Sequence, residues 1–354
     1  MAGIVLGASK LGSPWTTLDP FLFCVHHLDA YPAGNGRLGP AASVSGRVPG
    51  MDFSSKDGWS MYHGEIVPGF PRHPHRGFET VTIVRRGFID HADSLGSVAR
   101  YGPGDVQWLT AGRGVVHSEM FPLLDQHGPN PLELFQIWLN LPGASKPVAP
   151  YFSMSWAGEV PQLTFLDDQR GTTEVRVVAG TLEGASPPAS PPDSWASRPD
   201  SDVAIWLVRM TPHTTWTLPA ARRGSNRAIY NYCGDPLRIA GEVVQGPAAI
   251  RLLADAKAMV TSGPVPTEFL LLQGAPIGEP IVQHGPFVMN TAAEIDEAFD
   301  EYRRTEFGGW PWPSPGPVHG RDRVRFARFS DGRVDAPPST GQDPCRLTRL
   351  ARKG

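Results

Sequence analysis

Short runs of β-branched and aromatic residues, each closed off by Gly or Pro, recur through most of this chain. Glu79–Arg85, Glu133–Leu139, Glu174–Val178, Val203–Met210 and Glu268–Leu272 are examples. Several alternate apolar and polar residues with period two, and the others are apolar cores too short for a helix of ordinary length, so they read as strands. The 39 glycines and 37 prolines are scattered and would interrupt most long helices. This pattern predicts an all-β protein of sandwich or barrel type. Asp93-Ser-Leu-Gly96 reads as a hairpin turn, and Gly102-Pro-Gly-Asp105 as a tight turn into the next strand.

A chain of 354 residues can hold two domains with separate cores. Two strand-rich stretches, roughly 60–140 and 163–275, flank a proline-containing connector, Leu141–Pro150. The predicted organisation is therefore a first domain over 1–150, a second over 151–290, a helix and turn over 291–312, and a polar tail over 313–354. The Pro/Ser-rich segment Gly184–Ser201 falls inside the second strand-rich stretch and is predicted to be a long excursion loop. Thr291-Ala-Ala-Glu294 fits a capping box, and Ile295, Ala298, Phe299 and Tyr302 then mark one apolar helix face. Arg303-Arg304 and Gly308-Gly309 suit its end. The tail is rich in Arg, Asp, Gly and Pro and is expected to be poorly ordered or draped over the surface.

The bulk numbers exclude several classes. A net charge of −3 offers no broad basic field, so direct nucleic-acid binding is not expected. Cys24, Cys233 and Cys345 are odd in number and far apart, which fits a reducing cytoplasm and argues against a disulfide framework or a thiolate metal site. The N-terminus lacks the charged and apolar regions of a signal peptide, and no run has the length a membrane helix needs.

The densest cluster of potential ligands is His73-Pro-His75. Residues two apart on a strand face the same side, so both imidazoles can converge on one point. Pro74 also favours an extended backbone at His73. About forty residues later His117-Ser-Glu119 repeats the spacing. Two neighbouring strands would then offer three neutral nitrogens and one carboxylate, a set suited to Fe(II), Mn(II), Ni(II), Cu(II) or Zn(II). An isolated HxH is more often an accident than a ligand pair; two same-face pairs beside strand-like sequence make the stronger signal. Other candidates are weaker. His91 and Asp93 are expected to be solvated at a hairpin turn, and His26-His27 to lie in a departing loop. Arg113, between two glycines, has the reach to approach the site, although Gly-rich turns commonly carry an exposed Arg. Phe70, Phe78, Trp108 and Phe121 are expected to divide between core packing and an apolar pocket.

The stretch His73-Pro-His-Arg-Gly-Phe-Glu-Thr-Val-Thr82, followed by Gly102-Pro-Gly-Asp-Val-Gln-Trp-Leu-Thr-Ala-Gly-Arg-Gly-Val-Val-His-Ser-Glu-Met120, resembles the signature of the pirin family. Leu18–Phe23 and Glu279–Asn290 resemble it more weakly, and the likeness covers most of residues 15–312. It implies a bicupin, two cupin-type β-barrels packed together, followed by the C-terminal helix. It implies one Fe(II) per chain, with other divalent transition metals as alternatives, held by His73, His75, His117 and Glu119. Glu79, which the general cupin pattern would offer as a ligand, becomes either a partner that orients a ligand or a structural residue. The second barrel, whose obvious ligand types are the singletons His213 and Cys233, becomes a metal-free copy. The implied activity is that of a quercetin 2,3-dioxygenase, an oxidoreductase that opens a flavonol-like enol with O₂ and releases carbon monoxide, with Glu119 also accepting the substrate proton. Two alternatives follow from the same site: an iron-dependent redox-sensing regulator acting through a protein partner, and an iron site that only stabilises its barrel. The stretch from Tyr31 to about Tyr62 is longer than the family usual, so the loops near the site entrance are expected to differ.

Overall fold

The computed structural model describes residues 3–338, so Cys345 lies outside the described residues. The five apolar runs become the strands Phe78–Arg86, Asn130–Asn140, Thr172–Ala179, Ala204–Met210 and Thr267–Gly274. Among the described residues a single α-helix, Ala292–Thr305, follows the capping box, with both of its reciprocal hydrogen bonds present. The helix stops earlier than Gly308: Glu306 takes a left-handed conformation, and a short 3₁₀ turn then reaches Gly308. The fold is a bicupin of β-sheets, as expected. No helix is long and apolar enough to cross a membrane.

The chain forms two compact units, and they are interleaved in sequence. One comprises 25–157 and 279–338; the other comprises 158–278 together with the segment up to Cys24. The predicted border at 150/151 therefore falls at 157/158, because Tyr151–Ser155 pairs antiparallel with Val106–Thr110 of the first unit. The N-terminal segment leaves the first unit because Val5–Lys10 pairs with Ala248–Leu252. Such pairings join residues far apart in sequence, and local pattern does not reveal them.

The 25–157 unit is built on two sheets. Its part of one runs, in spatial order, Tyr151–Ser155, Val106–Thr110, Phe78–Arg86, Asn130–Asn140 and the strand Phe21–Tyr31 from Val25 onward. The other runs Val334–Asp335, Phe326–Arg328, Val98–Tyr101, Ile89–Asp93, Val115–Met120 and Gly69–His75. Tyr31, Val84, Ile89, Tyr101, Leu134 and Trp156 belong to its buried core. The helix packs in this unit through Ile295 and Ala298 against Phe287 and Met289.

The described part of the tail is more ordered than expected. Phe326–Arg328 extends the second sheet by pairing with Val98–Arg100. Arg100 forms a buried ion pair with Asp90 and donates to the carbonyls of Gly320 and Asp322, while Arg325 reaches Asp105 at 2.7 Å. Composition marked the tail as polar, but buried Arg100 holds two of its carbonyls and buried Asp105 holds its Arg325.

In the 158–278 unit a seven-stranded sheet runs Val5–Lys10, Ala248–Leu252, Asn226–Cys233, Thr267–Gly274, Ala204–Met210, Thr172–Ala179 and Gln162–Leu166. A four-stranded sheet runs Thr215–Leu218, Ala258–Ser262, Leu237–Ile239 and Glu242–Val244. Val175, Val208, Ile229, Ile250, Phe269 and Leu271 belong to its core.

Candidate metal centre

Gly69–His75 is the edge strand of its sheet, and Val115–Met120 lies next to it. An edge strand tolerates Pro71 and Pro74, whose missing N–H groups would break an interior ladder. The two strands run antiparallel with His73 opposite His117 and His75 opposite Val115. Between Phe70 and His73 the register shifts, since Pro71 and Arg72 on one strand lie opposite the single Ser118 between Glu119 and His117 on the other. This one-residue bulge re-aims the following side chains. The Arg72 N–H inside it donates to the Pro315 carbonyl, so the tail satisfies the group that the bulge frees. Gly77 ends the motif at φ +85°, where an added Cβ would lie 1.9 Å from the Val288 carbonyl oxygen. Only glycine fits there.

This register brings His73, His75 and His117 together. One ring nitrogen of each lies within 4.8 Å of the others. Their ring centroids are separated by 4.7 Å for His73–His75, 4.4 Å for His73–His117 and 4.9 Å for His75–His117. His117 and His75 are buried, and His73 is half-buried. Burial holds all three neutral: it lowers His73 to about 4, and it lowers His75 and His117 well below the ordinary histidine value. Neutral imidazoles are the form that binds metal. His73 Nδ1 lies 2.8 Å from the Pro71 carbonyl oxygen. A carbonyl accepts only, so Nδ1 carries the proton and Nε2 keeps its lone pair. Both ring nitrogens of His117 are buried without a hydrogen-bond partner. A buried polar group left in this state is costly, and a metal ion would satisfy it. The residues present therefore fit a metal ion.

Glu119 stands beside this trio. Its Oε2 is 3.9 Å from His117 Nε2 and accepts a 2.7 Å hydrogen bond from Gln136 Nε2, while Thr82 Oγ1 donates to Oε1 at 3.4 Å. Burial raises its carboxyl above the ordinary value, with His91, Gln136 and Thr82 opposing the shift. Glu79 is fully buried and accepts a 2.6 Å bond from Thr110, its partner in register.

Residues 47–139 match the Pirin family model, and residues 205–308 match the model for the pirin C-terminal cupin domain. Pirin-1 of Arabidopsis thaliana is 35% identical over 249 residues, covering 69% of this chain and 79% of that protein. Pirin of Mus musculus is 34% identical over 252 residues, covering 70% and 80%. The chain belongs to the pirin family. A provisionally named quercetin 2,3-dioxygenase of Pseudomonas aeruginosa is 34% identical over 241 residues, covering 68% of this chain and 79% of its own. The crystal structure of a quercetin 2,3-dioxygenase from Acinetobacter baumannii superposes with a TM-score of 0.67 at 27% identity, covering 86% of this pirin and 98% of that chain.

Several expectations for other residues are corrected. The turn after Asp93 is present, but His91 and Asp93 are fully buried. They face Glu119 and His117 respectively across the sheet. His91 Nε2 lies 3.1 Å from Asp93 Oδ2, and Gln107 lies 3.3 Å from Nδ1. A turn at the end of a strand does not expose that strand's last residues when their side chains point inward. His26-His27 lies within the strand Phe21–Tyr31, not in a loop. His27 Nδ1 contacts the Tyr62 hydroxyl at 3.0 Å. Arg113 is exposed, as are His213 and Cys233 in the other unit.

Phe78 and Trp138 stack at 3.9 Å and flank His75 at 5.1 and 5.2 Å. Phe70 lies 6.2 Å from His73 and stacks on Tyr62 at 5.1 Å. Phe121 is buried against the same group, and Trp108 is largely buried. The long stretch after Tyr31 thus delivers Tyr62, and Phe53 against it at 5.5 Å, to the ligand strand. Sequence reasoning missed Gln136. Its one signal was an amide set inside the otherwise apolar run Leu134–Leu139.

Proposed function

We propose that this pirin is an iron-dependent dioxygenase that ring-opens a flavonol-like enol with O₂. The observation that carries the reading is the convergence of three neutral histidines, two buried and one half-buried, beside a buried carboxylate. The likeness to the Acinetobacter quercetin 2,3-dioxygenase supports the substrate class. His73, His75 and His117 would hold the ion through neutral nitrogens, and Glu119 would complete the set. Bound Fe(II) would supply Lewis-acid and redox chemistry toward the enol oxygen and O₂.

The protein's own share of the work follows from its side chains. Gln136 fixes Glu119 Oε2, leaving Oε1 with only the long contact from Thr82. A carboxylate whose proton affinity is raised by burial suits it to accept the enol proton of the substrate. Phe78 and Trp138 exclude water beside His75. Phe70 and Tyr62, stacked next to His73, supply an apolar, π-rich wall for a planar aromatic ligand.

Anaerobic reconstitution with Fe(II), followed by quercetin and O₂, tests this reading. Loss of quercetin absorbance with release of carbon monoxide is expected for the wild type and not for His75→Ala. Fully iron-loaded protein that leaves quercetin and related enols untouched would overturn it.

A further inference from the structure

The unit without the histidine cluster contains a cavity of about 480 Å³. It lies where Asn226–Cys233 and Ala204–Met210 begin and Thr267–Gly274 ends, at one end of the seven-stranded sheet. The excursion loop over 184–201 contributes Arg198 and Ser201 to its wall. Arg227 and Gln273, which are register partners, also line it.

Arg227 is only 2% exposed, yet its Nε and Nη1 are buried with no hydrogen-bond partner. Among the described residues no salt bridge involves it. Burial lowers its guanidinium to about 10, a shift that Asp202 opposes. Asp202 Oδ2 is already engaged, accepting from Ser225 Oγ at 2.6 Å and from the Arg222 backbone N–H at 3.0 Å. Gln273 Nε2 donates to the Asp202 carbonyl at 3.3 Å, which leaves Oε1 buried and unpartnered. Arg198 and Arg222 also line the cavity, against Glu183 and Asp202. The lining as a whole is therefore net cationic.

A buried guanidinium whose nitrogens lack hydrogen-bond partners is costly, even with the Asp202 charge acting on it. A guanidinium presents a planar fork that matches a carboxylate. The Gln273 oxygen beside it calls for a donor, which an ionised carboxylate lacks. We propose that this cavity binds a small hydroxycarboxylate, its carboxylate on Arg227 and its hydroxyl donating to Gln273 Oε1. The volume suits a compact organic acid. This site is separate from the histidine cluster and does not depend on the reading of that cluster.

Isothermal titration of the metal-loaded, full-length protein with L-malate, succinate and inorganic phosphate tests the proposal. Malate is expected to bind the wild type. Arg227→Met should weaken malate by roughly 10- to 100-fold, the range expected for lost charge-assisted hydrogen bonds. Arg227→Lys, which keeps the charge without the fork, should fall between and serves if Arg227→Met does not fold. Succinate, the same acid without the hydroxyl, should bind more weakly than malate, and Gln273→Met should abolish that difference. His75→Ala should still bind malate, which separates this cavity from carboxylate coordination at the metal centre. Equal malate affinity in wild type and both Arg227 variants, loss in His75→Ala instead, binding of phosphate but not malate, or no binding at all would each overturn the proposal.

Discussion

Gln136 reaches across the barrel interior to donate a 2.7 Å hydrogen bond to Glu119 Oε2. It sits on the strand Asn130–Asn140, in the sheet opposite the one that bears Glu119. The carboxylate is thereby held by a residue outside the ligand motifs. Removing such an outer partner typically costs about 10- to 100-fold in metal affinity. Gln136→Met is expected to lower Fe(II) affinity by that factor in a competition titration, with the fold intact by circular dichroism. Unchanged affinity would show that Glu119 does not need this support.

The two unpartnered nitrogens of buried His117 predict that a bound metal would stabilise the native state. A ligand at 100 times its Kd adds about 2.7 kcal/mol when it binds only the folded chain. Adding Fe(II) or Mn(II) to metal-free protein should raise the Tm of the wild type and leave that of His75→Ala unmoved. Equal shifts in both would place the stabilising ion elsewhere.

Asp29 accepts from the Tyr62 hydroxyl at 2.8 Å and from the Ser60 N–H at 3.0 Å, yet burial outweighs both and pushes its carboxyl up to about 6. Arg47 and Asp52 are the other charged groups acting on it, in opposite directions. The folded state therefore binds this proton more tightly than the unfolded chain. Its contribution to stability is full below about pH 4 and is lost as pH rises through 6, by on the order of 2–3 kcal/mol. Urea denaturation from pH 4 to 7 should show Asp29→Asn gaining on the wild type as pH rises. A constant difference across that range would contradict the assignment.

Arg47 anchors the stretch that delivers Tyr62 toward the ligand strand. Its guanidinium lies 3.4 Å over the Trp59 ring and donates to Asp52 at 2.8 Å, and both charged side chains are buried. Removing one partner of a buried pair leaves an uncompensated charge, costing about 3–5 kcal/mol. Arg47→Met should lose stability in that range by chemical denaturation, whereas Asp57→Asn, at the exposed end of the network, should change it by less than about 1 kcal/mol.

The shared faces of the two candidate ligand pairs were legible because the strand period is two: His73 with His75, and His117 with Glu119, must share a face wherever those segments are extended. The capping box at Thr291 was equally legible, since its geometry involves only four consecutive residues. Gln136 and Tyr62 were not, because each meets its partner only after the chain has folded. His91 was misread because a nearby turn suggests solvent, while its inward direction depends on which face the sheet buries.

By itself, the sequence determined the all-β class, the strands that carry the histidines, and the spacing that lets each pair point one way. These follow from local backbone sterics and short-range alternation. Tertiary structure alone decided that His73 stands opposite His117 and that a bulge re-aims the strand after Phe70. It also decided that the N-terminal strand joins the other unit, and that Arg227 is buried with two nitrogens unpartnered. Each of those depends on pairing between segments distant in the chain, where register and burial are set by packing that no local window contains.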